Sequence, residues 1–154
     1  MNKKLLRTAF LDTVPVMTGY VFLGFGVGIL MQQNGFGVLW AGAMSLFIYA
    51  GSMQYVAVSL LSSGASLISA ALTTLMVNAR HLFYGVSMID KYKDAGKKKP
   101  YLIFALTDET YSLLCGDDYP EGEDKHWYSI FVSLFNQCYW VIGSIIGSII
   151  GSLI

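Results

Sequence analysis

The residues of this chain that could carry out chemistry are a few ionisable side chains set inside long apolar stretches. Arg80 and His81 interrupt one stretch, and Asp108 and Glu109 interrupt the next. A charge at the centre of a membrane costs at least about 2.5 kcal/mol, so ionisable residues at that depth are functional candidates. Along a helix, Arg80 lies about 16 Å before the lysine loop 91–99, and Asp108 lies about 13 Å after it. We therefore predict that Arg80 and Asp108 lie at similar depth on adjacent helices and can pair.

These charges have both structural and functional interpretations. An ion pair between Arg80 and one carboxylate would be structural, since buried charges are normally paired. The other carboxylate of the Asp108–Glu109 dipeptide would then serve a substrate ammonium or a proton. His81 shares a helix face with Asn78, and we predict that it relays protons with Asp108 and Glu109. An interhelical hydrogen bond from His81 is an equally good interpretation.

A third polar interruption reads Tyr49-Ala-Gly-Ser-Met-Gln54. Broken helices are tolerated at membrane depth only where they are buried in protein or line a cavity. A half-helix that begins at Gly51 would direct its positive end at a carboxylate, whereas a kink or a close-packing glycine is the structural alternative. The candidate substrate-binding residues from these interruptions are Gly51, Ser52, Gln54, Asn78, Arg80, Asp108 and Glu109.

The composition indicates what must position these residues. Hydrophobic residues make up 55% of the 154 and charged residues only 13%, whereas soluble domains carry about 25% charged residues. Because a helix needs about 20 apolar residues to cross the hydrocarbon core, the sequence predicts one all-α, polytopic membrane domain over 1–154, embedded in the lipid bilayer. The stretches do not alternate as barrel strands do. The predicted hydrophobic segments are 14–31, 36–61, 65–89, 100–115 and 127–154, at least one of them discontinuous or re-entrant.

The charged loops predict an orientation. Lysine and arginine mark cytoplasmic loops, so the N-terminus and loop 90–99, which has five lysines, should be cytoplasmic. The acidic loop 116–126 should be external. Three full crossings before Lys91 would place the lysine loop outside, so either one segment fails to cross or the chain has an extra crossing. Segment 36–61 is the candidate, because of its polar interruption.

Glycines at four-residue spacing predict close helix packing. Gly24 and Gly28 form one such pair, and Gly143, Gly147 and Gly151 continue the pattern near the C-terminus. Glycines so spaced lie on one helix face and let another backbone approach closely. The partner is left open between another helix of this chain, a second copy in a homo-oligomer and a different subunit.

Other function classes lack support in the sequence. No catalytic or nucleotide-binding motif is present, so we expect no catalytic residues, no cofactor and no transport driven by the chain's own ATP hydrolysis. The net charge is zero, which disfavours nucleic-acid binding. Cys115 and Cys138 have no metal-ligand spacing, so no metal is expected; we interpret them as membrane-buried small residues rather than a disulfide.

Four motifs together resemble the AzlC family, named for azaleucine resistance. They are Pro15-Val-Met-Thr-Gly-Tyr20, Tyr49-Ala-Gly-Ser-Met-Gln54, Asn78-Ala-Arg-His-Leu-Phe-Tyr-Gly85 and Leu106-Thr-Asp-Glu-Thr110. The resemblance is good over about 10–112 and vague afterwards. It implies the large subunit of a branched-chain amino acid exporter in the cytoplasmic membrane, working with a small AzlD-like membrane subunit. Family members continue for further hydrophobic segments, which agrees with a last segment that ends without a charged tail and leads us to expect more segments there or elsewhere.

The resulting functional prediction is proton-coupled export of leucine, isoleucine, valine or an analogue. In this mechanism, backbone near Gly51 and the Arg80 side chain hold the carboxylate, while one of Asp108 and Glu109 holds the ammonium and the other carries the proton. The alternatives are a non-transporting packing or regulatory subunit and a transporter of another small neutral solute. An intramembrane enzyme that uses His81 with a carboxylate is the weakest alternative, because neither a nucleophile nor a metal set accompanies it.

Overall fold

The computed structural model describes residues 3–116 and 119–154, and this part of the chain contains α-helices and no strand. Its α-helices are α1 (Lys3–Gln33), α2 (Val38–Phe47), α3 (Gly51–Ser62), α4 (Leu67–Asn78), α5 (Arg80–Met88), α6 (Lys99–Phe104), α7 (Asp108–Leu114) and α8 (Lys125–Gly151). A 3₁₀ turn at Gly96–Lys98 precedes α6.

Two helices have the length and composition of membrane spans. They are α1, with 31 residues, and α8, with 27. At about 1.5 Å per residue, both exceed the roughly 30 Å of a hydrocarbon core. Helices α2 and α4 are apolar but shorter. Helix α1 begins before the predicted segment 14–31, and it continues through Pro15, so the proline lies inside the helix rather than in its first turn.

Each of the three middle segments is divided into two helices. Segment 36–61 becomes α2 and α3, segment 65–89 becomes α4 and α5, and segment 100–115 becomes α6 and α7. The interruption predicted within Tyr49–Gln54 lies between Phe47 and Gly51. The other two breaks come immediately before Arg80 and Asp108. All three motifs that carry the candidate site residues therefore lie at helix breaks.

The residues form two compact units. The first consists of Met1–Met17 and Arg80–Asn136, and the second of Thr18–Ala79 and Gln137–Ile154. Helices α1 and α8 contribute residues to both. The apolar core of the first unit draws on α1, the lysine loop, the α6–α7 segment and α8; its buried members are Leu5, Ala9, Met88, Tyr92, Ala95, Leu102, Leu106, Leu114, Tyr128, Phe131 and Val132.

In the second unit, the glycines of α1 and α8 pack against each other. A Cβ on Gly24 would lie 2.8 Å from the carbonyl oxygen of Trp140, and one on Gly143 would lie 2.6 Å from that of Val21. A Cβ on Gly28 or Gly147 would collide with backbone of the opposite helix. The partner that the sequence left open for these glycines is thus a helix of the same chain. Gly151 continues the contact, since a Cβ added there would lie 3.1 Å from the Cα of Ile29.

Helices α2 and α3 form a hairpin in the second unit. Ser62, the last residue of α3, donates a hydrogen bond of 2.7 Å from its hydroxyl to Oδ1 of Asn34, in the turn between α1 and α2. Within the hairpin, Nε2 of Gln54 donates to Oγ of Ser45 at 3.1 Å. The segment therefore ends beside the turn from which it starts.

Helices α6 and α7 form a second hairpin, in the first unit. Lys91, in the loop before α6, donates from Nζ to the carbonyl oxygens of Leu114 at 3.2 Å, Cys115 at 2.5 Å and Gly116 at 2.5 Å. A lysine ammonium at a helix C-terminus satisfies carbonyls that have no intrahelical donor. It also fixes the end of α7 beside the loop from which α6 begins.

The lysine loop and the acidic loop are in direct contact. Nζ of Lys98 lies 3.1 Å from Oδ2 of Asp124 and 4.4 Å from the centroid of the Trp127 ring. Oδ1 of Asp124 accepts backbone hydrogen bonds from His126 at 2.8 Å and Trp127 at 3.2 Å, which caps α8. Partial burial raises the pKa of Asp124, but the bonds from Lys98 and the two amides outweigh it and hold that pKa below its usual value.

This contact corrects the predicted topology. Two groups 3.1 Å apart cannot face opposite sides of a hydrocarbon core about 30 Å thick. Loop 90–99 therefore cannot be cytoplasmic while loop 116–126 is external, and the two predicted assignments cannot both be correct. The physical reason is that segment 100–115 was counted as a crossing, whereas the bonds of Lys91 return it to its starting loop. Asp117 and Asp118 of the acidic loop lie outside the described residues.

Cysteine labelling tests the shared side of the two loops. Cys115 and Cys138 are free thiols exposed on the surface of the protein, so both are first replaced by serine. Cysteines introduced singly at the exposed positions Lys97 and Glu121 should react with a membrane-impermeant maleimide from the same side in intact cells. Inverted vesicles, in which the opposite face is accessible, provide the control. Labelling of the two positions from opposite sides would contradict the fold.

Glycine substitution tests the contact between α1 and α8. Gly147→Ala should destabilise the protein by several kcal/mol or require the helices to separate, because its Cβ would collide with backbone at Phe25. Gly19→Ala is the matched control in α1, where a Cβ meets nothing within 4 Å and alanine improves helix propensity. Thermal unfolding in detergent measures both. Equal melting temperatures for the two variants would contradict the close approach.

Candidate functional site

The charged site of the first unit is built where two helices begin. Arg80 is the first residue of α5 and Asp108 the first of α7, and Nη1 of Arg80 forms an ion pair with Oδ2 of Asp108. The pair expected from their depths is thus present. Their side chains are 43% and 32% exposed, so another molecule can approach both charges.

Aromatic residues one turn further along α5 and α7 pack these two helices against each other. Tyr84 of α5 stacks on Tyr111 of α7, with ring centroids 4.7 Å apart and planes inclined by 22°. His81 lies edge-on to Tyr84 at 5.9 Å. Residues three or four apart share a helix face, so Arg80 with Tyr84, and Asp108 with Tyr111, form one continuous contact between α5 and α7.

The start of α7 is stabilised by a threonine cap and by α8. The hydroxyl oxygen of Thr107 accepts a hydrogen bond from the amide of Thr110 at 3.2 Å, a standard N-cap arrangement. The Thr110 hydroxyl oxygen accepts a bond of 3.0 Å from Nδ2 of Asn136 in α8. Both Thr110 and Asn136 are fully buried. The dipeptide Asp108–Glu109 is therefore presented by a first turn that is fixed on both sides.

The break between α2 and α3 is the main site feature of the second unit. Tyr49 has φ +47° and is the only residue other than glycine with a positive φ in the described part of the chain. The left-handed conformation costs an ordinary residue about 1–2 kcal/mol, and strain of this kind is usually retained at functional positions. Gly51 begins α3 immediately afterwards, and Trp140 of α8 lies against it, 3.5 Å from where a Cβ would be.

Gln54 links this break to α8. Its Oε1 accepts a hydrogen bond of 2.5 Å from Nε1 of Trp140, while its Nε2 donates to Ser45. Gln54 and Ser45 are fully buried and Trp140 nearly so. Both ends of the Gln54 amide are therefore used within the protein, which makes Gln54 a positioning residue for the break.

The predicted site residues are divided between the two units. Arg80, His81, Asp108 and Glu109 belong to the first. Glu109 is half-buried in the first turn of α7, beside Asp108. The second unit contains Gly51, Ser52, Gln54 and Asn78. Ser52 is exposed in the first turn of α3, and Asn78, half-buried, is the last residue of α4.

Sequence reasoning missed one carboxylate and the polar partners on α8. Asp12 was not among the candidates, although it lies inside α1, where its Oδ2 accepts a hydrogen bond of 2.7 Å from the hydroxyl of Tyr128. The sequence does mark this carboxylate, because Asp12 is the only acidic residue before Asp90. Asn136 and Trp140 had no such signal, because single polar or aromatic residues in an apolar helix do not identify their partners.

A double-mutant cycle tests the bond between Gln54 and Trp140. Gln54→Leu should destabilise the protein by about 1–3 kcal/mol for each buried group left unpaired, here the indole N–H and the Ser45 hydroxyl. Trp140→Phe removes the other partner, so the double variant should lose less stability than the sum of the single variants. Unfolding free energies in detergent provide the measurement. Strict additivity would contradict the hydrogen bond.

Several curated proteins are similar to this chain. The "Branched-chain amino acid transport protein AzlC" of Bacillus subtilis is 46% identical over 94% of this chain and 59% of its own length. An "Uncharacterized membrane protein" of Haemophilus influenzae is 45% identical over 90% of this chain and 57% of its own. The "Inner membrane protein YgaZ" of Escherichia coli is 30% identical over 87% of this chain and 56% of its own length.

The chain spans less than two thirds of the length of these relatives, and no solved structure matches it. The family model described as "AzlC protein" matches residues 15–154, which include all four motifs and every residue of the three helix breaks. This match, with the identity to the Bacillus protein, establishes that the chain belongs to the AzlC family.

Proposed function

We propose that this chain is the large subunit of a two-component secondary transporter that exports leucine, isoleucine, valine or a close analogue across the cytoplasmic membrane. The name of the Bacillus relative, a branched-chain amino acid transport protein, supports the substrate class. The small AzlD-like membrane subunit and the outward direction follow from the family resemblance. The single structural observation that carries the proposal is the half-exposed ion pair of Arg80 and Asp108 at two helix breaks.

The surroundings of this pair favour a membrane setting with a polar access route. Leu82 and Phe83, which follow Arg80 in α5, are 68% and 76% exposed, as expected for side chains that contact lipid or another membrane helix. A charged pair cannot share that environment without a large free-energy cost. The exposed side of the pair therefore faces water, substrate or a polar protein surface.

The ion pair has the charges that a zwitterionic amino acid would need. The substrate carboxylate replaces Asp108 as the partner of Arg80, since a guanidinium binds a carboxylate with two parallel hydrogen bonds. The substrate ammonium pairs with either Asp108 or Glu109. The other carboxylate carries the proton, which His81 relays. Exchange of an internal partner for the substrate lets the Arg80 guanidinium keep an oppositely charged partner in both states.

The second unit contributes candidates for the same cycle. The amides of Gly51 and Ser52 at the start of α3 are suited to a carboxylate, and Asn78 ends the helix that precedes Arg80. We propose these residues as substrate-binding and Gln54 as their positioning residue. Broken helices of this kind supply both the binding groups and the hinge in many secondary transporters.

The proposed orientation follows the lysine-rich segments. We place the N-terminus and loop 90–99 in the cytoplasm, with the described part of the acidic loop on the same side because of the contact between Lys98 and Asp124. Both hairpins then act as re-entrant segments, which resolves the parity conflict in the sequence.

Efflux from dipeptide-loaded cells tests the function. Exporter-deficient cells are loaded with a leucine-containing dipeptide, and leucine and isoleucine efflux is measured with this chain alone and with a small AzlD-like partner. We expect efflux only with the partner. Efflux by the chain alone would instead indicate a self-sufficient homo-oligomer. If neither condition gives efflux, and extension with the remaining part of a longer relative does not restore it, the proposed substrate is wrong.

Charge-neutralising variants then test the mechanism in whichever form is active. Asp108→Asn and Glu109→Gln should each reduce efflux at least tenfold, which corresponds to about 1.4 kcal/mol. Glu121→Gln is the matched control, since Glu121 is an exposed loop carboxylate. Surface expression of each variant is measured in parallel. Unchanged efflux in both Asp108→Asn and Glu109→Gln would exclude the proposed roles of these carboxylates.

A further inference from the structure

Helix α8 carries two fully buried polar residues, one of which contacts the α6–α7 hairpin. Asn136 contacts the first turn of α7 through its bond to Thr110, and Ser133 lies three residues earlier in α8. Residues at this spacing share a helix face and are separated by about 4.5 Å of rise. Neither side chain is accessible to solvent. Both belong to the same compact unit as the hairpin.

Each of the two residues has an oxygen atom without a partner. Oδ1 of Asn136 and Oγ of Ser133 accept and donate no hydrogen bond among residues 3–116 and 119–154. A buried polar atom left unpaired is costly, and native proteins rarely retain one without a reason. Two such oxygens one helical turn apart, next to a helix break, indicate a bound group that both of them contact.

The neighbouring chain adds oxygen atoms and negative charge. Helix α6 ends at Phe104 and α7 begins at Asp108. The carbonyls of Tyr101 and Ile103 accept bonds from the amides of Ala105 and Leu106, and the carbonyls of Ala105 and Leu106 themselves belong to the break between the two helices. Ala105 and Leu106 within this break are buried. Arg80, Asp108 and Glu109 around the break carry +1, −1 and −1, which gives a net charge of −1. Acceptor oxygens and a net negative charge both favour a cation.

We propose that Asn136 and Ser133 bind a monovalent cation of about the size of sodium, together with backbone carbonyls of the Ala105–Thr107 break. Unwound helix ends provide such carbonyl ligands in membrane proteins. The proposed ligands are neutral oxygens, which suit a hard monovalent cation better than a transition metal, whose preferred ligands are imidazole and thiolate. The full burial of both side chains matches a single ion rather than an amino acid.

This cation is additional to the proton of the proposed transport cycle. It would brace the broken hairpin against α8 and so hold Asp108 and Glu109 in position. Its binding does not depend on which solute the protein moves, and the test below therefore uses stability rather than efflux.

Thermal unfolding of the purified full chain in detergent provides the test. Melting temperatures are measured in sodium chloride, potassium chloride and choline chloride at equal ionic strength, with sodium titrated at constant total salt. We expect a saturable rise in melting temperature with sodium, and none with choline. Ser133→Ala should weaken the apparent sodium affinity about tenfold or more, because it removes one ligand to a charged group, and Asn136→Ala should abolish the response.

Ser129→Ala is the matched control. Ser129 is also buried on α8, one turn from Ser133, but its hydroxyl donates to the carbonyl oxygen of Lys125 at 2.8 Å. The variant should keep the sodium response of the unmodified chain even if its melting temperature shifts. Because Asn136→Ala also removes the bond to Thr110, the comparison of Ser133→Ala with Ser129→Ala decides the assignment if the Asn136 variant fails to fold.

Two results would overturn the cation site. One is the same melting temperature in sodium, potassium and choline salts, which would leave ordered water as the partner of the two oxygens. The other is an equal sodium response in Ser133→Ala and Ser129→Ala. A sodium response without amino acid efflux would support the cation site and count only against the proposed transport. Efflux without a sodium response would support the transport and refute the cation site.

Discussion

The structure depends on buried hydrogen bonds that join α8 to the first turn after a helix break. In the first unit Asn136 donates to Thr110, and in the second Trp140 donates to Gln54. A break inside an apolar helix leaves backbone and side-chain polar groups that water cannot satisfy. Partners on a continuous helix remove that penalty. Helix α8 can supply them because it has no break of its own over its 27 residues.

In the second unit, the glycines of α1 and α8 help to bring such a polar partner to its helix break. They let the two backbones approach until a Cβ on Gly28 or Gly147 would collide with the other helix. Such an approach places Trp140 near the start of α3, where its ring contacts Gly51 and its indole N–H reaches Gln54. Close backbone packing and the buried polar bond are therefore two parts of one arrangement, and a larger residue in either helix would disturb both.

The ion pair of Arg80 and Asp108 joins two of the helix breaks. Each charge occupies the first position of a helix, where backbone geometry can change without the loss of a whole helix. The stacked rings of Tyr84 and Tyr111 keep the two helices in contact beside the pair. The exchange of partners proposed for Arg80 and Asp108 would therefore require only a local change while α5 and α7 remain packed. The strained Tyr49 at the start of α3 indicates that the second unit also retains a costly local conformation at its break.

Much of this arrangement could be predicted from local sequence, and the remainder could not. The helical class, the interruption at Tyr49–Gln54, the close-packing glycines and the pairing of Arg80 with Asp108 all follow from composition and spacing, because apolar runs, glycine periods and isolated charges act through their immediate neighbours. Three features needed the tertiary structure: the return of segment 100–115 to the lysine loop, the shared side of the two loops, and the polar partners on α8. The return depends on Lys91 reaching the carbonyls of Leu114 and Cys115, and no pattern in the sequence distinguishes that lysine from the other four in its loop. Asn136 and Ser133 likewise resemble the other small polar residues of α8, and only the contacts of the folded chain show which of their atoms are satisfied.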